Sequence, residues 1–567
     1  MKLLRSLLVL TFLFVALAVI AIWWNWPHKV DMANYAPADA LIYIELNSLV
    51  DVTKAIKQGA AFKSLSALAG INSNTESNWS LWMARAGIAP AQSVVLARAQ
   101  MALVVVDIDR QTSGDALRVK PEVALIVETK TAKWRMRGVA LEDVKELARF
   151  AYGATQCTER AADSDYIECT QPGGARKIVA AVDGSVVIIG NSDKALQSCL
   201  AVRRGQRPNL STDSEFSRTR TTLMGNGSLA FGYVSQANTA RLVSLGVPLL
   251  VGKDPGDSQF ENLLSTSAAK VLRGIAWTSK SNAGMFEDHY QISLDPEVTK
   301  RLEPAFQIPN EQDDAVWQLV PDTFRALTVY RSSDVQTAWV SLNSALAMRL
   351  DAVSTVLISS LLKASLASYG VENPRDFLAT VTAPVITIRP TLGDESLLLG
   401  RIKDEQQLRK VLAVFFEQGK GQILNSKEEQ LNRDKEFAAL VTSGFVILGK
   451  TENILVYLDQ IRNKEMINPA RGQRFTLSQH PGAAVVTYTN ERDSIDSVVT
   501  ALARLSGRSL SESELQELNN RLGNINVSFT ESRLNENGID RRTQSAFGQF
   551  GNLLSLAVAD SSSSNRR

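Results

Sequence analysis

Two stretches of the chain carry the same local programme, and that recurrence restricts the folds open to it. KIVAAVDGSVVIIG, from Lys177, is two β-rich runs joined by Asp183-Gly184, a pair that tolerates the positive φ angles of a tight hairpin turn. NSDKALQSCLAVRRG follows, in which Asn191 or Ser192 can cap a short helix and Gly205 can end it. A second helix is expected from Thr212, whose hydroxyl and Glu215 have capping-box spacing, and then the apolar strand SLAFGYV from Ser228. The second half repeats the order. EFAALVTSGFVILGK, from Glu436, is a hairpin around Ser443-Gly444, and TENILVYLDQIRN reads as its helix. FTLSQHPG from Phe475, the strand AAVVTYT from Ala483 and a helix from Arg492 to about Leu505 complete the second copy.

Upstream of each hairpin, EVALIVETK and LEDVKELARFAYG around Leu141 parallel SLLLGRIKDEQQLRKVLAVFFEQG from Ser396. Each half opens with a proline-acid step and an apolar strand, APADALIYIEL from Ala36 and VPDTFRALTVY from Val320. The offset between matching features, roughly 255 to 285 residues, is too long for a solenoid unit and suits two related domains. Hairpins imply antiparallel pairing, and the interspersed helices would cover one sheet face. The expected class is therefore α+β, with two related domains, each a curved, mainly antiparallel sheet backed by helices. The polar stretch from Asp295 to Gln318, with its prolines and charge cluster, marks the boundary. That places the domains at 31–310 and 311–556, with 557–567 as a disordered tail.

Residues 1–30 read as a cytoplasmic stub and signal anchor. The run from Ser6 to Trp24 is apolar and uncharged and would span roughly 28 Å as a helix over about 6–24, close to one bilayer core. Lys2 and Arg5 precede it as topology determinants, so the rest of the chain should be exported. Trp23, Trp24 and Trp26 suit the outer interface, where an indole buries its ring and keeps its N–H wet. The competing reading is a cleaved signal peptide, for which Ala16-Leu17-Ala18 supplies small residues. A second apolar stretch, from Ser344, is broken by Arg349, Asp351 and Lys363 and is too short to cross.

Of 61 basic and 59 acidic residues, Lys2, Arg5 and Lys29 precede the first acid, so the remainder is close to neutral. A polyanion or nucleic-acid partner is not expected. Ordinary proportions of hydrophobic (45%) and charged (21%) residues exclude wholesale disorder and a multi-span bundle. Cys157 and Cys169 flank a polar segment that suits a hairpin turn and form a candidate disulfide, which fits export. Cys199 is left over and reads as a small buried apolar residue.

The leader, the start Tyr35-Ala36-Pro37-Ala38-Asp39-Ala40 leading into LIYIEL, and the hairpin-helix segment Lys177 to Leu200 carry a resemblance. In these the chain resembles a group of bacterial signal-anchored extracytoplasmic proteins that share a domain of unknown function. The resemblance implies an envelope location and transfers no catalytic or binding residue. The second half departs from it at its start, with Val320-Pro321-Asp322-Thr323.

Signatures of chemistry are sparse. His28, His289 and His480 are far apart in sequence, and no zinc-binding spacing occurs; His289 reads as a polar strand residue and His480, before Pro481, as a turn residue. Ser267 with Lys270, and Ser360 with Lys363, have the serine-lysine spacing of some exported enzymes but lack their accompanying elements. Gly225 and Gly227 precede a strand and read as turn residues, not as a phosphate loop. Arg203, Arg204 and Arg207 end a helix, where cations suit the dipole and solvent. No cofactor is expected. The reading is a non-catalytic protein, single-pass in the bacterial inner membrane, whose duplicated periplasmic or extracellular domains bind a protein partner or an envelope polymer. An exported hydrolase with a site assembled only in the fold, and a structural spacer, are the alternatives.

Overall fold

The computed structural model describes residues 30–66 and 99–552, except 114–115, 130–132, 161–165, 174–175, 251–257, 310–313, 349–351, 392–394, 417–418, 426–429, 464–465, 468–479, 506–509 and 523–526. The leader, with Lys2, Arg5, Trp23, Trp24, Trp26 and His28, and the tail 557–567 lie outside these residues. Among the described residues no helix is long and apolar enough to cross a membrane.

The first half contributes β1 (Ile42–Leu46), β2 (Gln100–Ser113), β3 (Ala116–Glu128), β4 (Gln156–Arg160), β5 (Tyr166–Thr170), β6 (Lys177–Asp183), β7 (Val186–Gly190), β8 (Ser228–Ser235), β9 (Leu272–Asn282) and β10 (Met285–Leu294). The second contributes β11 (Ala326–Tyr330), β12 (Val381–Arg389), β13 (Leu397–Ile402), β14 (Gly421–Leu424), β15 (Phe437–Thr442), β16 (Phe445–Lys450), β17 (Val485–Thr489), β18 (Ser528–Asn535) and β19 (Gly538–Ser545). With the helices between them, the class is α+β.

Strand pairing follows one plan in both halves. β1 lies between β2 and β8, β2 pairs β3, β3 pairs the second strand of the hairpin β6–β7, and β8 leads through β9 to β10. β11 lies between β12 and β17, β12 pairs β13, β13 pairs the second strand of the hairpin β15–β16, and β17 leads through β18 to β19. The outer edges differ: β4 and β5 extend the first half by antiparallel pairing, whereas β14 pairs β15 in parallel. The halves do not form the two separate sheets expected. β10 and β19, the last strand of each, pair antiparallel over eight residues and join all nineteen strands into one sheet.

The two hairpins turn differently. Asp183 pairs with Val186, so the turn is Gly184-Ser185, one residue later than expected, and only Gly184 has a positive φ (67°). That places the left-handed residue first, the type II′ pattern. At the second hairpin Ser443 (φ 51°) and Gly444 (φ 78°) both turn left-handed, the type I′ pattern. Helix α1 (Asp193–Arg203) starts at Ser192, whose side chain accepts from the Ala195 N–H, and Gly205 follows its end with a φ of 70°. Asn191 instead bonds back to β3, accepting from the Val123 N–H and donating to the Pro121 carbonyl. Asp213, and not Thr212, caps α2 (Ser214–Leu223), accepting from the Glu215 and Phe216 N–H groups. A carboxylate is the stronger acceptor at a helix N-terminus, and the Thr212 hydroxyl is already donated to the Asn209 carbonyl.

Cores form against the sheet in each half. In the first, Leu196, Cys199 and Leu200 of α1 and Phe216 of α2 pack on Tyr43, Phe231 and Tyr233, with Phe216 edge-on to all three rings. In the second, Ile454, Tyr457 and Leu458 of a helix spanning Thr451–Arg462 pack on Leu327, Val486 and Tyr488, with Trp317 edge-on to Tyr488. Burying such side chains contributes about 1.5–3 kcal/mol each. The stretch expected as an interdomain linker is largely helical: α3 (Pro296–Leu302) and two short 3₁₀ turns, Glu303–Phe306 and Asp314–Leu319.

Candidate functional site

Where β10 meets β19 the sheet presents two different faces. Side chains alternate along a strand, so Ile292, Leu534 and Ile539 point one way and His289, Glu531, Arg533, Asp540 and Arg542 the other. The apolar face is covered by Val298 and Leu302 of α3 and by Leu342, Ala345 and Leu346 of α4 (Val335–Ala347). α3 continues the first half, and α4 follows β11 of the second. Pro296 at the first position of α3 and the Asp295 side chain, which accepts from the Glu297 N–H, start that helix at the end of β10. Asp334 caps α4 by accepting from the Thr337 N–H. Both helices are thus aimed by local capping across the junction.

Above this layer the two helices leave a groove of about 860 Å³, and residues of both halves line it. Lys300, Arg301 and Glu303 form one wall; Val340, Ser344 and Met348 form the other, with Arg375 beyond them. Val340 and Met348 are 45% and 43% exposed, whereas Ser341 is buried and lets the helices approach. A groove with an apolar strip and a few charges at its rim is suited to holding a ligand. Among the described residues no group of three or more His, Cys, Asp or Glu side chains is placed to hold a metal ion.

The opposite face of the junction carries a polar string. The His289 Nε2 lies 2.7 Å from Asp540 Oδ2, and the His480 Nδ1 lies 2.7 Å from Glu531 Oε1. Arg542 donates to Asp540 and Arg533 donates to Glu531. Burial alone would push both carboxyl groups up, but the histidine bonds and the arginine charges hold Glu531 and Asp540 below the usual carboxylate range. Arg331, 3% exposed, donates to the carbonyls of His480 and Ala483, fixing the connector in which His480 sits. His480 is therefore a buried, carboxylate-bound side chain as well as a connector residue, and His289 is a strand residue whose ring bridges the two halves.

Raised carboxyl groups lie apart from the groove. Burial, with Asp31 adding to it, pushes Glu45 up while Arg220 opposes it; burial and the Glu142 charge push Asp143 up to about 6. Burial also raises Asp288 and Glu491, which accept from the Gln549 and Ala546 N–H groups and hold the end of the described chain. Glu45, Asp288 and Glu491 each have a structural partner, Asp143 stands on the helix next to Glu142, and none of the four sits beside a nucleophile-base pair among the described residues. Ser267 is buried while Lys270 is exposed, and Ser360 and Lys363 are both exposed on a helix spanning Ala352–Ala367. None of these four lines the groove. Gly225 and Gly227 lie at the turn before β8. Arg203 pairs with Asp183 and stacks over Tyr35, and Arg207 pairs with Asp39, so this basic cluster is tied into the body. Cys157 and Cys169, opposite one another in β4 and β5, are joined in a disulfide, and Cys199 is buried with its thiol pushed up to about 12 by burial.

Sequence reasoning missed the groove residues. Most of them are spread over α3, the 3₁₀ turn after it, α4 and the residue that ends α4, all of ordinary pattern, and only the pairing of β10 with β19 brings α3 beside α4. The polar string left a trace: EDHYQ, TESRLN and GIDRRTQ carry polar residues on both faces of a strand, unlike the core strands. No family model matches the chain, and neither a curated protein nor a solved structure matches it.

Proposed function

We propose that this chain is a binding protein of the bacterial envelope, held to the inner membrane by its leader helix, with two related domains outside the cytoplasm that together take a partner. The observation that carries this reading is the groove lined from both halves above the β10–β19 junction. A duplicated body joined through equivalent strands creates at its middle a surface that neither half has alone. The repeated pairing plan supports duplication. The disulfide supports an oxidising compartment, and the apolar leader with its preceding cations supports export.

The test is photocrosslinking in intact cells from a reactive side chain at Val340, compared with one at the exposed Val414 outside the groove. A crosslinked envelope partner seen from position 340 and absent from position 414 is expected. Equal or no capture from both positions, together with turnover of an envelope substrate by the purified protein, would replace this reading with that of a hydrolase. Protease added to spheroplasts should digest the body; full protection would overturn the topology.

A further inference from the structure

The groove's charge and shape narrow the class of its ligand, an inference that rests on the binding reading above. Three cations, Lys300, Arg301 and Arg375, line it and are exposed, and none makes an ion pair among the described residues. Two carboxylates face them, Glu297 and Glu303, and Glu297 is already engaged within the chain. With three cations to two carboxylates the lining keeps an excess of one positive charge, which favours an anionic ligand. The wall between the cations sets two exposed apolar side chains among small polar ones. Val340 and Met348 lie eight residues apart, about two turns, with Ser344 on the turn between them. An exposed methionine adapts its shape to the side chain it meets, which suits a peptide better than a phosphate or sugar polymer.

Length sets the ligand's size. From Gln336 to Met348 the groove wall rises about 18 Å at the helical repeat, which an extended peptide covers in about five residues. We propose that the groove binds an acidic, extended peptide segment with aliphatic side chains between its carboxylates. Carboxylates meet Arg301 and Arg375 at the rim, and the aliphatic groups cover Val340 and Met348.

The experiment is fluorescence anisotropy with the full-length protein in detergent and a labelled pentapeptide, Asp-Leu-Glu-Leu-Asp. The comparison peptides are Lys-Leu-Lys-Leu-Lys and Asp-Gly-Glu-Gly-Asp, and inorganic polyphosphate serves as competitor. The acidic leucine peptide should bind best, and its affinity should fall with salt. The Arg301→Glu/Arg375→Glu double variant should weaken it by on the order of tenfold or more, about 1.4 kcal/mol or more. Ser344→Trp, which fills the groove without changing charge, should abolish binding while the thermal midpoint holds. Equal binding of acidic and basic peptides, or no effect of either variant, overturns the proposal. Displacement by polyphosphate with no advantage for leucine over glycine overturns it in favour of a polyanion. If these variants still crosslink the envelope partner, the peptide assignment fails while the binding reading stands.

Discussion

His289 and Arg542 face each other at the β10–β19 junction, and each is the fifth residue of the strand that follows its own half's last hairpin turn. The two halves therefore meet through strands that occupy the same place in the pairing plan of each, antiparallel and paired at the same step. His289 binds Asp540 across the junction, and Arg542 binds Asp540 within its own strand.

Gly538 is the residue on which this junction is most exposed to mutation. Its φ is 127°, and a Cβ there would lie 2.3 Å from the Ile292 carbonyl oxygen and 2.8 Å from the Leu294 nitrogen, both backbone atoms of the partner half. Gly538→Ala should destabilise the protein by at least about 2 kcal/mol. Gly225→Ala, where an added methyl meets open space, should be nearly neutral. Urea denaturation of both variants provides the comparison.

Acid should weaken the polar string. Glu531 and Asp540 have folded pKa values below the ordinary carboxylate values of about 4. Their stabilisation is present above that ordinary value and is lost as pH falls through the lowered folded value. In Glu531→Gln/Asp540→Asn that part of the acid-induced loss should disappear. Unfolding free energies measured from pH 7 down to about pH 3 would show it, and an unchanged slope would contradict the assigned bonds.

Glu491 should behave in the opposite sense. Burial raises its folded pKa, so its charged form costs stability at neutral pH, and stability is gained as pH falls through the raised value toward the ordinary one. Glu491→Gln retains an acceptor for the Ala546 N–H and removes the charge. The variant should match or exceed the wild-type thermal midpoint at pH 7 and lose this gain on mild acidification.

Arg220 holds a buried acid in place. Its Nε lies 2.8 Å from Glu45 Oε1 and its Nη1 lies 2.6 Å from Asp31, while the Tyr43 hydroxyl donates to Glu45. Arg220→Met strands a carboxylate that is 2% exposed and should cost about 3–5 kcal/mol; adding Glu45→Gln should recover part of that. Thermal midpoints of the single and double variants test the coupling.

The cysteines should separate by accessibility. Cys199 is buried and its thiol is pushed up to about 12, so the native protein should not react with a thiol reagent, and one thiol should appear on unfolding without reductant. Cys157→Ser/Cys169→Ser opens a loop with a sequence separation of 12 and should cost up to about 3 kcal/mol.

Local pattern determined much of this protein. The two hairpins, the first with its turn one residue later than the Asp183-Gly184 expected, the cap at Ser192, the helix from Arg492 to Leu505 and the α+β class all follow from residues within a few positions of one another. Turn geometry, capping and amphipathic period are short-range effects, so they are legible in a short window of sequence. Even here neighbouring groups compete, as Asp213 does with Thr212. Only the tertiary structure decided that β10 would pair with β19, that His289 and His480 would each meet a carboxylate on the same face of the sheet, and that α3 and α4 would flank a groove. A strand edge offers the same backbone N–H and C=O groups whatever its sequence, so which two edges join depends on how the whole body closes, and the groove inherits its residues from that choice.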